Sequence, residues 1–116
     1  MANITIYHNP RCAKSREALK LIQAAGIEPE VIEYLKNPPS PKEMDRLLKR
    51  LGMEPQDLMR TKEKEYKDLG LADRKLTRHE AIRILVNHPK LIERPIVVKG
   101  TRAVLARPPE KVNELL

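Results

Sequence analysis

The sequence predicts an α/β fold: a mixed sheet carrying a helical insertion, in the order βαβ-ααα-ββ-α. Three observations predict it. A β-branched run, an apolar helical pattern and a second apolar run follow one another within the first 35 residues. That is a βαβ unit, which implies a parallel pair of strands joined by a right-handed crossover. The middle of the chain carries helix-capping signatures, and the chain then returns to two short runs flanking a glycine turn.

Ile4-Thr5-Ile6-Tyr7 alternates and is made of β-branched or aromatic residues, so it reads as the first strand, broken by His8-Asn9-Pro10-Arg11. From Cys12 onward Ala18, Leu19, Ile22 and Ala25 recur at helical spacing, and Gly26 is a natural stop. Val31-Ile32-Glu33-Tyr34-Leu35 reads as the second strand. Ser40-Pro41-Lys42-Glu43 supplies an N-cap, a proline in the first turn and a glutamate three residues on. Met44, Leu47, Leu48 and Leu51 then form an apolar stripe of core residues, ended by Gly52. Glu54 to Leu69 reads as one or two short helices around Arg60, closed by Gly70. Thr77-Arg78-His79-Glu80 is a capping box opening the helix of Ala81, Ile82, Leu85 and Val86, which His88-Pro89 terminates. Pro95-Ile96-Val97-Val98 and Ala103-Val104-Leu105 flank Lys99-Gly100-Thr101-Arg102 as a hairpin, and Pro108-Pro109-Glu110 opens a last short helix.

With 116 residues the chain fits a single domain, 1–116, whose helical insertion spans about 40–88. Phe and Trp are absent, so the core must come from Leu, Ile, Val, Met and Ala. One cysteine allows neither an internal disulfide nor a multi-cysteine zinc site, and three scattered histidines give no metal spacing, so no metal is expected. No apolar run nears the roughly 20 residues of a membrane span, and the start (Met1-Ala2-Asn3-Ile4) lacks the pattern of an export signal. The expectation is a cytoplasmic protein with no membrane partner. A net charge of +7 raises the question of nucleic acid. A surface for stacking bases needs aromatic side chains, and this chain has almost none. A solvated basic surface, with a small anionic substrate for any arginines that cluster, is the more economical reading.

The chemistry points to Cys12, at the start of the first helix, where unpaired N–H groups and the helix dipole favour a thiolate. Arg11, Lys14, Arg16 and His8 are expected to lower its pKa further. A lone cysteine is more often a small buried hydrophobe, but the strand-to-helix placement between basic residues favours a reactive thiol. Position 15 is Ser, so there is no Cys-x-x-Cys, and position 18 is Ala, so there is no Cys-x5-Arg phosphatase loop. An attacking thiol without a resolving one needs an outside thiol to finish a redox cycle.

These residues resemble the glutaredoxin-coupled arsenate reductases of the ArsC type, which have a thioredoxin-like fold. The resemblance is carried by Ile4-Thr5-Ile6-Tyr7-His8-Asn9-Pro10-Arg11-Cys12, Ser15-Arg16 and Met59-Arg60. It continues through Leu69-Gly70-Leu71-Ala72, His88-Pro89, Arg94-Pro95-Ile96-Val97-Val98 and Arg107-Pro108. It implies that Cys12 attacks the arsenic of arsenate and that Arg60, Arg94 and Arg107 hold the oxyanion. It also implies that His8 helps to ionise the thiol, that Ser15 places a hydroxyl near it, and that Pro95 is the cis-proline of the fold. Glutathione as co-substrate and glutaredoxin as partner follow from the resemblance, with no cofactor bound to the chain. Independently, paired guanidinium hydrogen bonds suit an oxyanion, and Arg94 and Arg107 each precede a proline at the edge of a strand. Arg11, Lys14 and the end at Leu116 differ from the larger arsenate reductases and are similar to a shorter chromosomal subgroup.

Two alternatives accompany this reading. One is a glutathione-dependent thiol oxidoreductase acting on another substrate. The other is an Spx-type transcriptional regulator binding RNA polymerase, a group that typically carries a Cys-x-x-Cys switch where this chain has Cys12-Ala13-Lys14-Ser15. His79 and His88 read as a first-turn residue and a helix-end cap. Glu63-Lys64-Glu65 reads as a solvated face.

Overall fold

The computed structural model describes residues 3–116, so the reading of the Met1-Ala2 start lies outside the described residues. The chain falls into two compact units, one formed by residues up to Asn37 together with Arg94–Leu116, the other by Pro38–Glu93. Among the described residues, no helix is long and apolar enough to cross a membrane.

The first unit holds β1 (Ile4–His8), α1 (Ala13–Ala24), β2 (Glu30–Glu33), β3 (Ile96–Lys99), β4 (Arg102–Leu105) and a C-terminal 3₁₀ helix (Pro109–Leu115). The sheet order is β2-β1-β3-β4. β1 runs parallel to β2 and antiparallel to β3, and β3 pairs antiparallel with β4. The central position suits β1, because Ile4, Ile6, Tyr7 and His8 are all buried and fill both faces. β2 starts at Glu30 rather than Val31 and stops at Glu33 rather than Leu35. The parallel register sets this: Thr5 to His8 pair with Glu30 to Glu33, and β1 ends there. Beyond it the chain turns, with the Lys36 and Asn37 N–H groups both donating to the Glu33 carbonyl.

Ile4 and Ile6 share one face of β1, and Val97 stands opposite Ile6. They join Ala18 and Ile22 of α1 with Ala106, Val112 and Leu115 in one core cluster. Ile22 is wholly buried, and its truncation to Ala would cost about 2–5 kcal/mol. α1 stops where glycine is required: Gly26 has φ +81°, and its N–H donates to Gln23 O while Ile27 N–H donates to Ile22 O. At the other end of the unit, Lys99 Nζ and Arg102 Nη2 donate to Leu115 O and Glu114 O, both at 3.1 Å. Two cations of the hairpin thus satisfy carbonyls that the last helix leaves open.

The second unit holds α2 (Pro41–Leu51), α3 (Lys64–Asp68) and α4 (Arg78–Asn87), with 3₁₀ turns at Pro55–Leu58, Leu71–Asp73 and Pro89–Leu91. Both expected caps form. Ser40 Oγ accepts from Glu43 N–H, and Thr77 and Glu80 exchange the two bonds of a capping box. Met44, Leu47 and Leu48 of α2 and Ala81, Ile82 and Leu85 of α4 are buried, and α2 packs on α4. Two short helices, Pro55–Leu58 and Lys64–Asp68, flank Arg60 as expected. Met59 and Ile92 form an antiparallel bridge, with Arg60 N–H donating to Leu91 O and Glu93 N–H to Leu58 O. His88 caps α4 and lies 3.3 Å from Glu65, while His79 is exposed in the first turn.

Candidate active site

The site begins with the turn between β1 and α1. Asn9 organises it: Cys12 N–H donates to Asn9 O and Arg11 N–H to Asn9 Oδ1, both at 3.0 Å. This Asx turn sets Cys12 in extended backbone as the N-cap of α1. The sulfur therefore lies at a helix end whose first amides have no acceptor within the helix. Cys12 makes no cap hydrogen bond of ordinary length, so these amides act on it as nearby N–H dipoles. Burial of the half-buried Cys12 pushes its thiol up. The N–H groups of Ser15 and Lys14 and the Arg94 guanidinium outweigh this and hold the thiol below its usual range. More of it is thiolate at neutral pH as a result.

Ser15 is wholly buried, and its Oγ accepts from Asn9 N–H at 3.0 Å and lies 2.6 Å from His8 Nδ1. His8 is itself buried, and that burial lowers its pKa; Arg16 adds to the effect, and Glu33, its register partner across β2, opposes it. The imidazole is therefore neutral at pH 7. Ser15 Oγ and His8 Nδ1 share one hydrogen bond, whose donor depends on the imidazole tautomer.

His8 reaches the turn through Ser15, whose hydroxyl faces His8 and Asn9 while its amide acts on the sulfur. Arg11 and Lys14 are exposed, where water screens their charge. Arg16 Nη1 donates to Pro10 O at 2.9 Å, so it holds the turn. Arg94, from a distant segment of the chain, is a cation that helps to lower the thiol's pKa. Asn9 itself was passed over in the sequence, where Asn-Pro signals a turn but not which atoms it holds.

Arg94 precedes β3, and its bond to Pro95 is cis; the Arg107-Pro108 bond after β4 is cis as well. The two residues meet, since Arg107 Nη1 donates to the Arg94 carbonyl at 3.1 Å. Arg94 Nε is buried with no acceptor among the described residues. A buried donor left unmet costs about 1–3 kcal/mol, so an oxyanion oxygen would fit here. Cys12, His8, Ser15, Arg94, Pro95 and Arg107 thus all lie in the first unit.

Arg60 belongs to the helical unit. Its Nη1 lies 3.3 Å from Glu63 and its Nε 3.1 Å from Glu93. Glu63, read as part of a solvated face, is in fact only 28 % exposed and serves this arginine. Among the described residues, no group of three His, Cys, Asp or Glu side chains gathers as a metal site.

The chain is similar to proteins over its whole length. It is 50% identical to the uncharacterized protein YfgD of Escherichia coli K12, over 97% of this chain and 96% of that one. It is 46% identical to an arsenate reductase of Escherichia coli, over 100% of this chain and 82% of the relative. A solved structure of arsenate reductase from Vibrio cholerae superposes with a TM-score of 0.95 at 48% identity, covering 99% of this chain and 98% of that one. The four-stranded mixed sheet with its helices is accordingly thioredoxin-like, as expected. The model of the ArsC family matches residues 7–115, from the strand before the thiol to the last helix, and the chain belongs to the ArsC family.

Proposed function

We propose that this chain is an arsenate reductase in which Cys12 is the nucleophile. The observation that carries the reading is a thiol held toward thiolate at an open helix end, beside an arginine with a buried unmet donor. Its relatives named arsenate reductase support the substrate. Arsenate is held by Arg94 and Arg107, whose guanidinium groups offset its spread negative charge. The Cys12 thiolate attacks arsenic, and an oxygen leaves as water. Glutathione adds to the arsenic as a second thiol, and a second oxygen leaves as water. The glutaredoxin thiol then attacks the glutathione sulfur, breaking its bond to arsenic and forming a mixed disulfide; glutathione and glutaredoxin thus supply the two electrons that take As(V) to As(III). Water finally hydrolyses the Cys12–arsenic bond, releasing arsenite and restoring the Cys12 thiolate. The chain needs no cofactor of its own in this scheme, and a reducing cytoplasm supplies the thiols.

The test is arsenate-dependent NADPH oxidation coupled through glutathione, glutaredoxin and glutathione reductase. Wild type should turn over, and Cys12→Ser should fall to background while keeping its fold by circular dichroism. Retained turnover in the serine variant would sink the mechanism. A silent wild type whose Cys12 still alkylates rapidly near neutral pH would point to another substrate.

A further inference from the structure

Two consecutive residues at the end of the hairpin hold two consecutive carbonyls at its beginning. Ala106 N–H donates to Pro95 O at 2.9 Å, and Arg107 Nη1 donates to Arg94 O at 3.1 Å. The first is an ordinary backbone contact. The second uses a charged side chain on a main-chain carbonyl, a bond stronger and more directional than a neutral one. Arg107 is itself tied down, since its N–H donates to Leu105 O at 2.9 Å. Arg94 has less to hold its side chain: its Nε is buried without an acceptor among the described residues. Ordering so long a side chain costs rotamer entropy, so its main chain must be fixed if the guanidinium is to stay in place.

We propose that Arg107 is a positioning residue: by gripping the Arg94 carbonyl it fixes where the Arg94 guanidinium meets Cys12 and the oxyanion. The proposal rests on Cys12 being the reactive thiol. It gives Arg107 a role that operates with no substrate present, in addition to any contact its remaining donors make with arsenate.

Cys12 is the one cysteine of the chain, so iodoacetamide alkylation followed by intact mass reports this thiol alone and needs no arsenate. The rate is measured against pH for wild type, Arg94→Ala, Arg107→Ala and the double variant. Arg107→Ala should move the midpoint upward by roughly half a unit, which below the midpoint slows alkylation about threefold. In the Arg94→Ala background, removing Arg107 should move it no further. An unmoved midpoint in Arg107→Ala overturns the proposal. So does a shift that adds in full to that of Arg94→Ala, which marks Arg107 as an independent charge. If Arg107→Ala fails to fold, Arg107→Met, which keeps an unbranched stem but has no donor, takes its place. It should shift the midpoint in the same direction, and an unmoved midpoint there overturns the proposal equally. A wild-type midpoint at the ordinary thiol value would remove the reactive-thiol reading and the proposal together, a result distinct from the others.

Discussion

Arg94 and Arg60 carry the same guanidinium into opposite circumstances. Arg94, in the thiol unit, stands beside Cys12 with a buried Nε that nothing among the described residues accepts. Arg60, in the helical unit, already sits on two carboxylates, Glu63 and Glu93. An incoming oxyanion satisfies a donor at Arg94 that was unmet, and gains nearly the whole hydrogen bond. Arg60 offers no unmet donor of this kind, since its Nε and Nη1 already face carboxylates. Two arginines equal in sequence are therefore unequal in what they can add to binding.

The largest expected effect tests that inequality directly. Arg94→Ala should lower kcat/KM for arsenate on the order of 100-fold, the scale of losing one well-placed donor. It should also raise the alkylation midpoint of Cys12. Arg60→Ala should cost about tenfold or less, mainly in KM, with the midpoint unmoved, because Arg60 is not among the groups acting on the thiol. Steady-state kinetics on both variants would break the comparison if Arg60→Ala proved the more damaging.

A smaller effect separates the brace of the turn from its chemistry. Ser15→Ala leaves the Asn9 N–H and His8 Nδ1 without a buried partner and should destabilise the fold by about 1–3 kcal/mol in urea unfolding. His8 adds a pH signature. Its folded pKa is lowered, so its contribution is complete above the unfolded value of about 6.5 and is lost as pH falls through the folded value. Wild-type stability should decline in that window, and His8→Gln, which takes up no proton, should show a flatter decline. A variant with the same slope as wild type would assign the decline to other groups.

The smallest effect lies in the helical unit. Thr77→Ala removes one half of the capping box of α4 and should cost about 1 kcal/mol. The Cys12 alkylation midpoint should not move, and a clear shift would tie the thiol to the stability of the helices.

Legibility in the sequence followed the range of each interaction. Ser40, Thr77 and Gly26 act on residues within a turn of themselves, so their types and spacing predict the helix ends found. The parallel β1–β2 pair and the β3–β4 hairpin were readable from alternation and short connections. The extended bridge of Met59 with Ile92 was not, because its partner lies in a distant segment. In the site, Cys12 was legible from its place at a strand-to-helix turn. Its activation was legible in part: the N–H groups of the helix end act on it as expected, but the cation was not, because Arg11 and Lys14 are exposed, Arg16 holds the turn, and Arg94 comes from a distant segment. Nor does a sequence tell a serine amide from its hydroxyl, or show that Arg107 grips a carbonyl of Arg94.

The hairpin that carries both arginines has a consequence in time. Arg94 and Arg107 are joined by local strands, whereas β1, which leads to the thiol, reaches β3 only by pairing Ile4 with Lys99 and Tyr7 with Ile96. Local contacts form early in folding, and pairings between distant segments form late. The helix-end amides that act on Cys12 come from its own segment, but the Arg94 guanidinium reaches it only once this long-range sheet is built. The thiol is therefore armed in two layers, one local and one that depends on the tertiary fold.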